Sequence, residues 1–108
     1  MDRKIELRIA PALETLRALP AVPQFDFAFV DADKTSYAAY YEEILTRLRP
    51  GGLLAIDNVL WSGKVVDPKD QSESTSAIRA LNDHVAADDR VDAVILPIAD
   101  GLTLARKR

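Results

Sequence analysis

The chain has 108 residues, of which 48% are hydrophobic and 29% charged, which is typical of one small folded domain or part of a larger one and excludes a disordered chain. The net charge of −3 argues against nucleic acid as a partner, because binding phosphates requires a concentrated positive surface. No apolar run approaches the roughly 20 residues that a membrane helix needs, and the absence of cysteine excludes disulfides and thiolate metal sites and favours a cytoplasmic protein.

The first twenty residues predict a strand followed by a helix. Ile5, Leu7 and Ile9 alternate with charged residues, which predicts a short strand with one buried face. Pro11 suits the first turn of a helix, and leucines recur at helical spacing until Pro20 ends the pattern.

Two apolar strands with a helix between them come next. Residues 25–30 and 53–56 are nearly continuous apolar runs, as in the interior strands of a parallel sheet that is covered on both faces. Between them, apolar residues recur at helical spacing after Ser36, a suitable N-cap, and Pro50 with two following glycines closes this helix.

The second half of the chain predicts a loop, a helix and a hairpin. Residues 61–73 form a polar loop whose length suggests a function, and a helix follows over 75–87. An apolar strand over 91–98 reaches the turn signal Asp100-Gly101, after which residues 102–105 return antiparallel to it. Strands and helices therefore alternate as β-α-β-α-β-α-β-β, which predicts an α/β fold whose mostly parallel sheet has its last strand antiparallel.

Acidic and amide side chains follow two of the predicted strands directly. Asp31 and Asp33 come after the first apolar run, and Asp57 and Asn58 come after the second. Ligands of open parallel sheets bind at the carboxyl ends of the strands, which lie about 5 Å apart in neighbouring strands. Oxygen ligands of this kind favour Mg²⁺, Mn²⁺ or Ca²⁺. The alternative interpretation is that these residues only form turns and cap helices.

Lys34 and Trp61 lie next to these two clusters. Beside an acceptor hydroxyl Lys34 can act as a general base, because desolvation and nearby positive charge lower the pKa of a lysine. Trp61 can form a flat wall for an aromatic substrate. Without such a site, Lys34 is a solvated lysine and Trp61 a packing anchor. His84 has no Cys or His partner, and we interpret it as a surface or helix-packing residue. The simplest interpretation of the three tyrosines at 37, 40 and 41 is helix packing.

Two motifs carry a family resemblance that covers nearly all of the chain. The string FDFAFVDADK at 25–34 and the string GGLLAIDNVLWSG at 51–63 resemble the cation-dependent class I O-methyltransferases of the caffeoyl-CoA and catechol type. The predicted first strand, the Pro-Ala-Leu helix start and the closing hairpin match as well. The resemblance implies a Rossmann-like methyltransferase sheet and transfer of a methyl group from S-adenosylmethionine to a hydroxyl of a catechol-like phenol, with Mg²⁺ as the first choice of divalent cation.

The resemblance also assigns roles to individual residues. The matching positions comprise metal ligands (Asp31, Asp57 and Asn58), residues of the S-adenosylmethionine pocket (Ala12 and Asp33), a general base (Lys34) and acceptor-side residues (Asp31 and Trp61). In such enzymes the acceptor hydroxyl loses its proton and the resulting oxygen attacks the methyl carbon in line.

The family orders its strands 3-2-1-4-5-7-6, and this chain matches it from strand 3 onward. There is no room before Ile5 for the glycine-rich cofactor loop that follows the family's first strand. We therefore expect residues 1–108 to be a single partial domain, the C-terminal part of a methyltransferase, without the first two strands of the family. The strand over 25–30 becomes an exposed apolar edge, which predicts a homo-oligomer, most simply a dimer.

Two alternatives come from other functional classes. The residues Asp31-Ala32-Asp33-Lys34-Thr35 fit the D-x-D-x-T pattern of phosphatases that resemble haloacid dehalogenases, with Asp31 as nucleophile and Asp33 as acid and base. The other alternative is a non-catalytic protein that oligomerises through its exposed strand edge.

Overall fold

A computed structural model describes residues 5–9 and 11–108 of the chain. The helices and strands, in chain order, are α1 (Ala12–Ala18), β1 (Phe25–Val30), α2 (Tyr37–Arg47), β2 (Leu48–Asp57), α3 (Glu73–Ala86), β3 (Val91–Leu96) and β4 (Leu102–Lys107). Two 3-10 turns, Lys34–Ser36 and Trp61–Val66, follow the carboxyl ends of β1 and β2.

The four strands form one sheet in the order β1-β2-β4-β3. β1 pairs in parallel with β2, and β4 pairs antiparallel with both β2 and β3. Three strands therefore run in one direction and β4 runs against them, as the sequence predicts. The register sets Val30 beside Ile56, so that the carboxyl ends of β1 and β2 meet at the same edge of the sheet.

The core lies between one face of this sheet and the helices α2 and α3. Its fully buried side chains include Tyr41 on α2, Leu54 on β2 and Leu81 on α3. α3 starts two residues earlier than predicted because the Ser72 hydroxyl accepts a hydrogen bond from the Thr75 amide at 3.4 Å and caps it. Within the described residues, no helix is long and apolar enough to span a membrane.

The predicted first strand is wrong: residues 5–9 have no regular secondary structure. Ile5, Leu7 and Ile9 are all exposed, Ile9 to 91%. A strand is held by hydrogen bonds to a neighbouring strand, and among the described residues the sheet ends at β1. An alternating pattern alone does not provide that neighbour.

The predicted boundary between α2 and β2 is also wrong. The helix ends at Arg47, and β2 begins at once with Leu48, so Pro50 and the two glycines belong to the strand. Leu48 pairs with Phe25 across a local irregularity in the register. Glycine is needed at position 52, because a Cβ there would lie 2.8 Å from the Arg49 carbonyl oxygen of the same strand and 3.1 Å from the Asp26 carbonyl oxygen of β1. The strand predicted over 91–98 ends two residues early, at Leu96.

β1 forms an apolar edge of the sheet, as predicted. The side chains of Phe27 and Phe29 are 57% and 56% exposed. They lie on the face opposite Val30, which packs into the core. Over residues 5–9 and 11–108, no strand pairs with the outer edge of β1, and such an apolar edge is a site where another strand can add.

Candidate active site

Asp31 and Asp57 lie side by side at the carboxyl edge of the sheet. Val30 and Ile56 are register partners in the parallel pair β1–β2, and each aspartate follows its partner directly. The 3-10 turn Lys34–Ser36 follows Asp33 directly, and its first residue, Lys34, lies at this edge of the sheet. The topology thus brings the two acidic clusters together, as the sequence predicts.

The Lys34 ammonium joins the two clusters. Its Nζ donates to Asn58 Oδ1 at 3.1 Å and to Asp31 Oδ1 at 3.4 Å. It also donates to the Ala32 carbonyl at 2.9 Å and to the Tyr37 hydroxyl at 2.8 Å. Oxygens from both strand ends therefore converge on a single positive charge.

Asn58 has an unusual backbone conformation that is fixed by its neighbours. Its φ is +62°, in the left-handed region that asparagine tolerates better than most residues. Its amide N–H donates to Asp57 Oδ1 at 2.8 Å, and its side-chain Nδ2 donates to Asp100 Oδ2 at 3.3 Å. The Asp57 carboxylate thus lies against the same loop that presents Asn58 Oδ1.

Tyr37 is part of the site, although the sequence indicated only helix packing for it. Its ring is buried, and its hydroxyl accepts from Lys34 and donates to the Asp57 carbonyl at 2.9 Å. The spacing of three residues from Lys34 across a helical turn was the one signal that could have indicated the contact. Tyr37 thus links the lysine to the end of β2.

Lys34 keeps its proton in this environment. Burial acts to lower its pKa, but hydrogen bonding and charge interactions with Tyr37 and Asp31 outweigh this effect, and the pKa of Lys34 is raised. Burial also raises the pKa of Tyr37, which remains a neutral hydroxyl. Without an added positive charge beside it, the pKa of Lys34 is therefore raised rather than lowered, and the lowering expected beside a cation and an acceptor hydroxyl stays a prediction.

Trp61 lies beside this cluster and is half-buried. It opens the second 3-10 turn with a φ of +50°. Lys34 Nζ lies 5.4 Å from the centroid of its ring, and Lys64 Nζ lies 5.8 Å from it. An indole ring at this position can bind cations and aromatic groups on its faces.

An open groove of about 450 Å³ runs between α1 and β1 toward the site. Ala12, Phe29 and Asp31 are among its lining residues, and so is Tyr40. Asp33 is exposed, and the Ser36 side chain near it is the main cause that lowers the pKa of Asp33. Of the two residues expected in the cofactor pocket, Ala12 lines the groove that reaches Asp31, and Asp33 follows Ala32, which also lines it.

The oxygens at this edge suit a hard divalent cation. Asp31 and Asn58 already hold the positive charge of Lys34, and Asp57 adds a second carboxylate. A second acidic group, formed by Glu42, His84 and Asp88, is different, because Arg90 pairs with both of its carboxylates. His84 itself is exposed, hydrogen-bonded to Glu42 at 2.7 Å, in agreement with a surface role.

Comparison with known proteins gives one consistent result. The sequence profile of the family described as O-methyltransferase matches residues 1–108. The chain is 51% identical over 111 residues to the Dictyostelium discoideum protein named "Probable caffeoyl-CoA O-methyltransferase 1", covering 99% of this chain and 48% of that protein. It is 46% identical over 110 residues to mouse catechol O-methyltransferase domain-containing protein 1, covering 99% of this chain and 42% of that protein.

The fold agrees with solved structures of the same family. The O-methyltransferase from Bacillus cereus, crystallised with SAH, superposes with a TM-score of 0.76 at 32% identity, over 90% of this chain and 46% of that one. The predicted Rossmann-like sheet is thereby confirmed. The chain spans about half the length of the relatives that it matches. These matches give the phosphatase alternative no support, and the chain belongs to the O-methyltransferase family.

Proposed function

We propose that this protein transfers a methyl group from S-adenosylmethionine to a hydroxyl of a catechol-like phenol, and that residues 1–108 are part of the domain that does so. Family membership and the names of the relatives support the reaction class. The observation that carries the proposal is the convergence of Asp31, Asn58 and Lys34 at the ends of two adjacent parallel strands.

Asp31, Asp57 and Asn58 are the residues that would hold a divalent cation, with Mg²⁺ preferred over Mn²⁺ and Ca²⁺ as the proposed ion. Two carboxylates and one amide oxygen form a hard donor set of the kind that such ions prefer. When bound, the cation acidifies the acceptor hydroxyl, and S-adenosylmethionine supplies the methyl group.

The side chains around this donor set would bind the acceptor and take its proton. Lys34 Nζ is the proposed proton acceptor. A divalent cation held by the same oxygens would disfavour the ammonium form of Lys34 and would lower its pKa. Trp61 would provide a flat wall for the phenol ring, while Asp31 orients its hydroxyl. Ala12, which lines the groove of about 450 Å³, and Asp33, which follows the groove residue Ala32, would contact S-adenosylmethionine.

Calorimetric titration of the 108-residue chain with S-adenosylmethionine, in the presence of Mg²⁺, tests the proposal. We expect a heat of Mg²⁺ binding that D31N removes. Binding of S-adenosylmethionine at micromolar affinity would mean that residues 1–108 complete the cofactor pocket, and no binding would mean that the rest of the domain is needed for it. The matched control is D89N, which changes an exposed aspartate at the amino end of β3, the opposite edge of the sheet. Equal Mg²⁺ binding by D31N and the unchanged chain would contradict the assignment.

We also propose that two copies of the chain pair through β1, in the cytoplasm. The exposed Phe27 and Phe29 and the unpaired edge of the sheet support a strand-to-strand dimer. Native mass measured by light scattering should rise with concentration toward twice the chain mass. F29K should keep the protein monomeric, because it places a positive charge from each copy at the proposed interface. The control is V94K, on the far edge strand β3. A monomer at every concentration would refute the dimer.

A further inference from the structure

We propose that Asp100 is a positioning residue that holds the side-chain amide of Asn58 with its oxygen toward the cation site. The inference rests on the proposed function, since it concerns one of the three proposed cation ligands. In the sequence, Asp100 and Gly101 indicate only the turn of a hairpin. Their contacts in the folded chain indicate a second role for this turn.

The turn between β3 and β4 is bonded directly to the loop that follows β2. The Leu60 amide donates to the Asp100 carbonyl at 2.9 Å, and the Val59 amide donates to the Gly101 carbonyl at 3.4 Å. Gly101 has a φ of +87°, and a Cβ on it would lie 2.9 Å from the Leu60 nitrogen. Only glycine therefore allows the two backbones to lie this close, so the turn is held at a fixed distance from Asn58.

The charges on the two sides of the Asn58 amide select one of its two orientations. Its oxygen faces the Lys34 ammonium at 3.1 Å, and its Nδ2 faces the Asp100 carboxylate at 3.3 Å. A flipped Asn58 amide would turn its N–H groups toward the Lys34 ammonium, which can only donate hydrogen bonds. Its oxygen would then face the Asp100 carboxylate, which can only accept them. Both neighbours therefore favour the orientation in which Oδ1 points to the site.

Asp100 becomes the more important of these two neighbours when a cation binds. A divalent cation competes with Lys34 for Asn58 Oδ1, whereas the contact of Asp100 is on the opposite end of the amide. Groups that orient a metal ligand from behind typically change metal affinity by about 10- to 100-fold. Asp100 would therefore act on the cation through Asn58.

The test measures binding of Tb³⁺ alone to the 108-residue chain, followed by luminescence sensitised by Trp61, the single tryptophan. We expect D100N to weaken Tb³⁺ binding about tenfold or more. The substitution keeps the turn, since Asn-Gly is as favourable there as Asp-Gly. D89N is the control for the loss of one negative charge, and it should leave the affinity within about twofold.

A second background separates orientation from charge. In N58D the side chain at position 58 is a carboxylate, and either of its two equivalent oxygens can bind the cation. Its orientation therefore does not matter, and adding D100N should no longer weaken Tb³⁺ binding. Equal weakening by D100N in both backgrounds would show a simple loss of charge and overturn the inference alone. Failure of the unchanged chain to bind Tb³⁺ would overturn the cation site of the proposed function and, with it, the role of Asp100. Retained affinity in D100N with Asn58 present would refute the positioning role directly.

Discussion

Replacing Lys34 with methionine is expected to lower the free energy of unfolding by about 3 kcal/mol, the upper value for losing hydrogen bonds to a charged group. The side chain of Lys34 is only 10% exposed, and its ammonium donates to oxygens of Asn58, Tyr37 and Ala32. Methionine keeps the apolar stem of the lysine but leaves these oxygens without their donor. Urea unfolding followed by circular dichroism measures the loss.

A control and a rescue make this prediction specific to the site. K69M changes an exposed lysine in the loop after β2 and should alter the stability by less than about 0.5 kcal/mol. Mg²⁺ should restore part of the loss in K34M, because a cation bound to the same oxygens replaces the missing positive charge. A K34M protein as stable as K69M would mean that the convergence of oxygens on Lys34 contributes nothing.

The second large effect is an acid transition controlled by Asp88. Its side chain is 6% exposed, and it accepts from the Tyr41 hydroxyl at 2.6 Å and from Arg90 at 2.7 Å. Hydrogen bonds from Arg90 hold the pKa of Asp88 well below its usual range, although burial acts against them. Arg90 also lowers the pKa of Glu42. These pairs connect the end of α3 with α2 through the start of β3.

The direction of the pH effect follows from the lowered pKa of Asp88. A carboxyl with a lower pKa in the folded state stabilises the fold fully above its unfolded pKa, near 4, and loses this contribution as the pH falls toward the folded value. The free energy of unfolding should therefore be flat from about pH 7 to pH 5 and should decrease below about pH 4.

The variant D88N isolates this effect. At pH 7 it should lose about 2 kcal/mol, because an amide cannot replace the ionic hydrogen bonds to Arg90, and its stability should fall less steeply in acid. D89N changes the exposed neighbour and should retain the steep acid limb. Parallel pH profiles for D88N and the unchanged chain would contradict the assignment to Asp88.

The elements that the sequence predicted well are those defined by local rules. α2 and α3 show apolar periodicity on one face, and the Asp100-Gly101 signal marks the β3–β4 turn. The strand expected over 5–9 failed because it depends on a partner elsewhere in the sheet. The start of β2 failed as well, because pairing with Phe25 overrides the local preference of Pro50 and the glycines to end a helix.

The candidate site divides in the same way. The alternation of strands and helices predicts that Asp31 and Asn58 lie at the same edge of a parallel sheet. In the folded chain both side chains accept hydrogen bonds from Lys34 at that edge. The sequence indicates a packing role for Tyr37 and a turn role for Asp100, and both residues have these roles. In addition, the Tyr37 hydroxyl donates to the Asp57 carbonyl, and the Asp100 carboxylate accepts from the Asn58 amide. Nothing local in the sequence distinguishes that additional role.

The family, the α/β order of the chain and the oxygen chemistry at the ends of two strands follow from the sequence alone, because motifs, periodicity and residue types are properties of short segments. The groups that surround Lys34, the orientation of the Asn58 amide and the described segments that have no strand partner are known only from the folded chain. These depend on distances and charges between residues far apart in the chain. Hydrogen bonds and electrostatic interactions act over a few ångströms, so their partners are set when the sheet assembles.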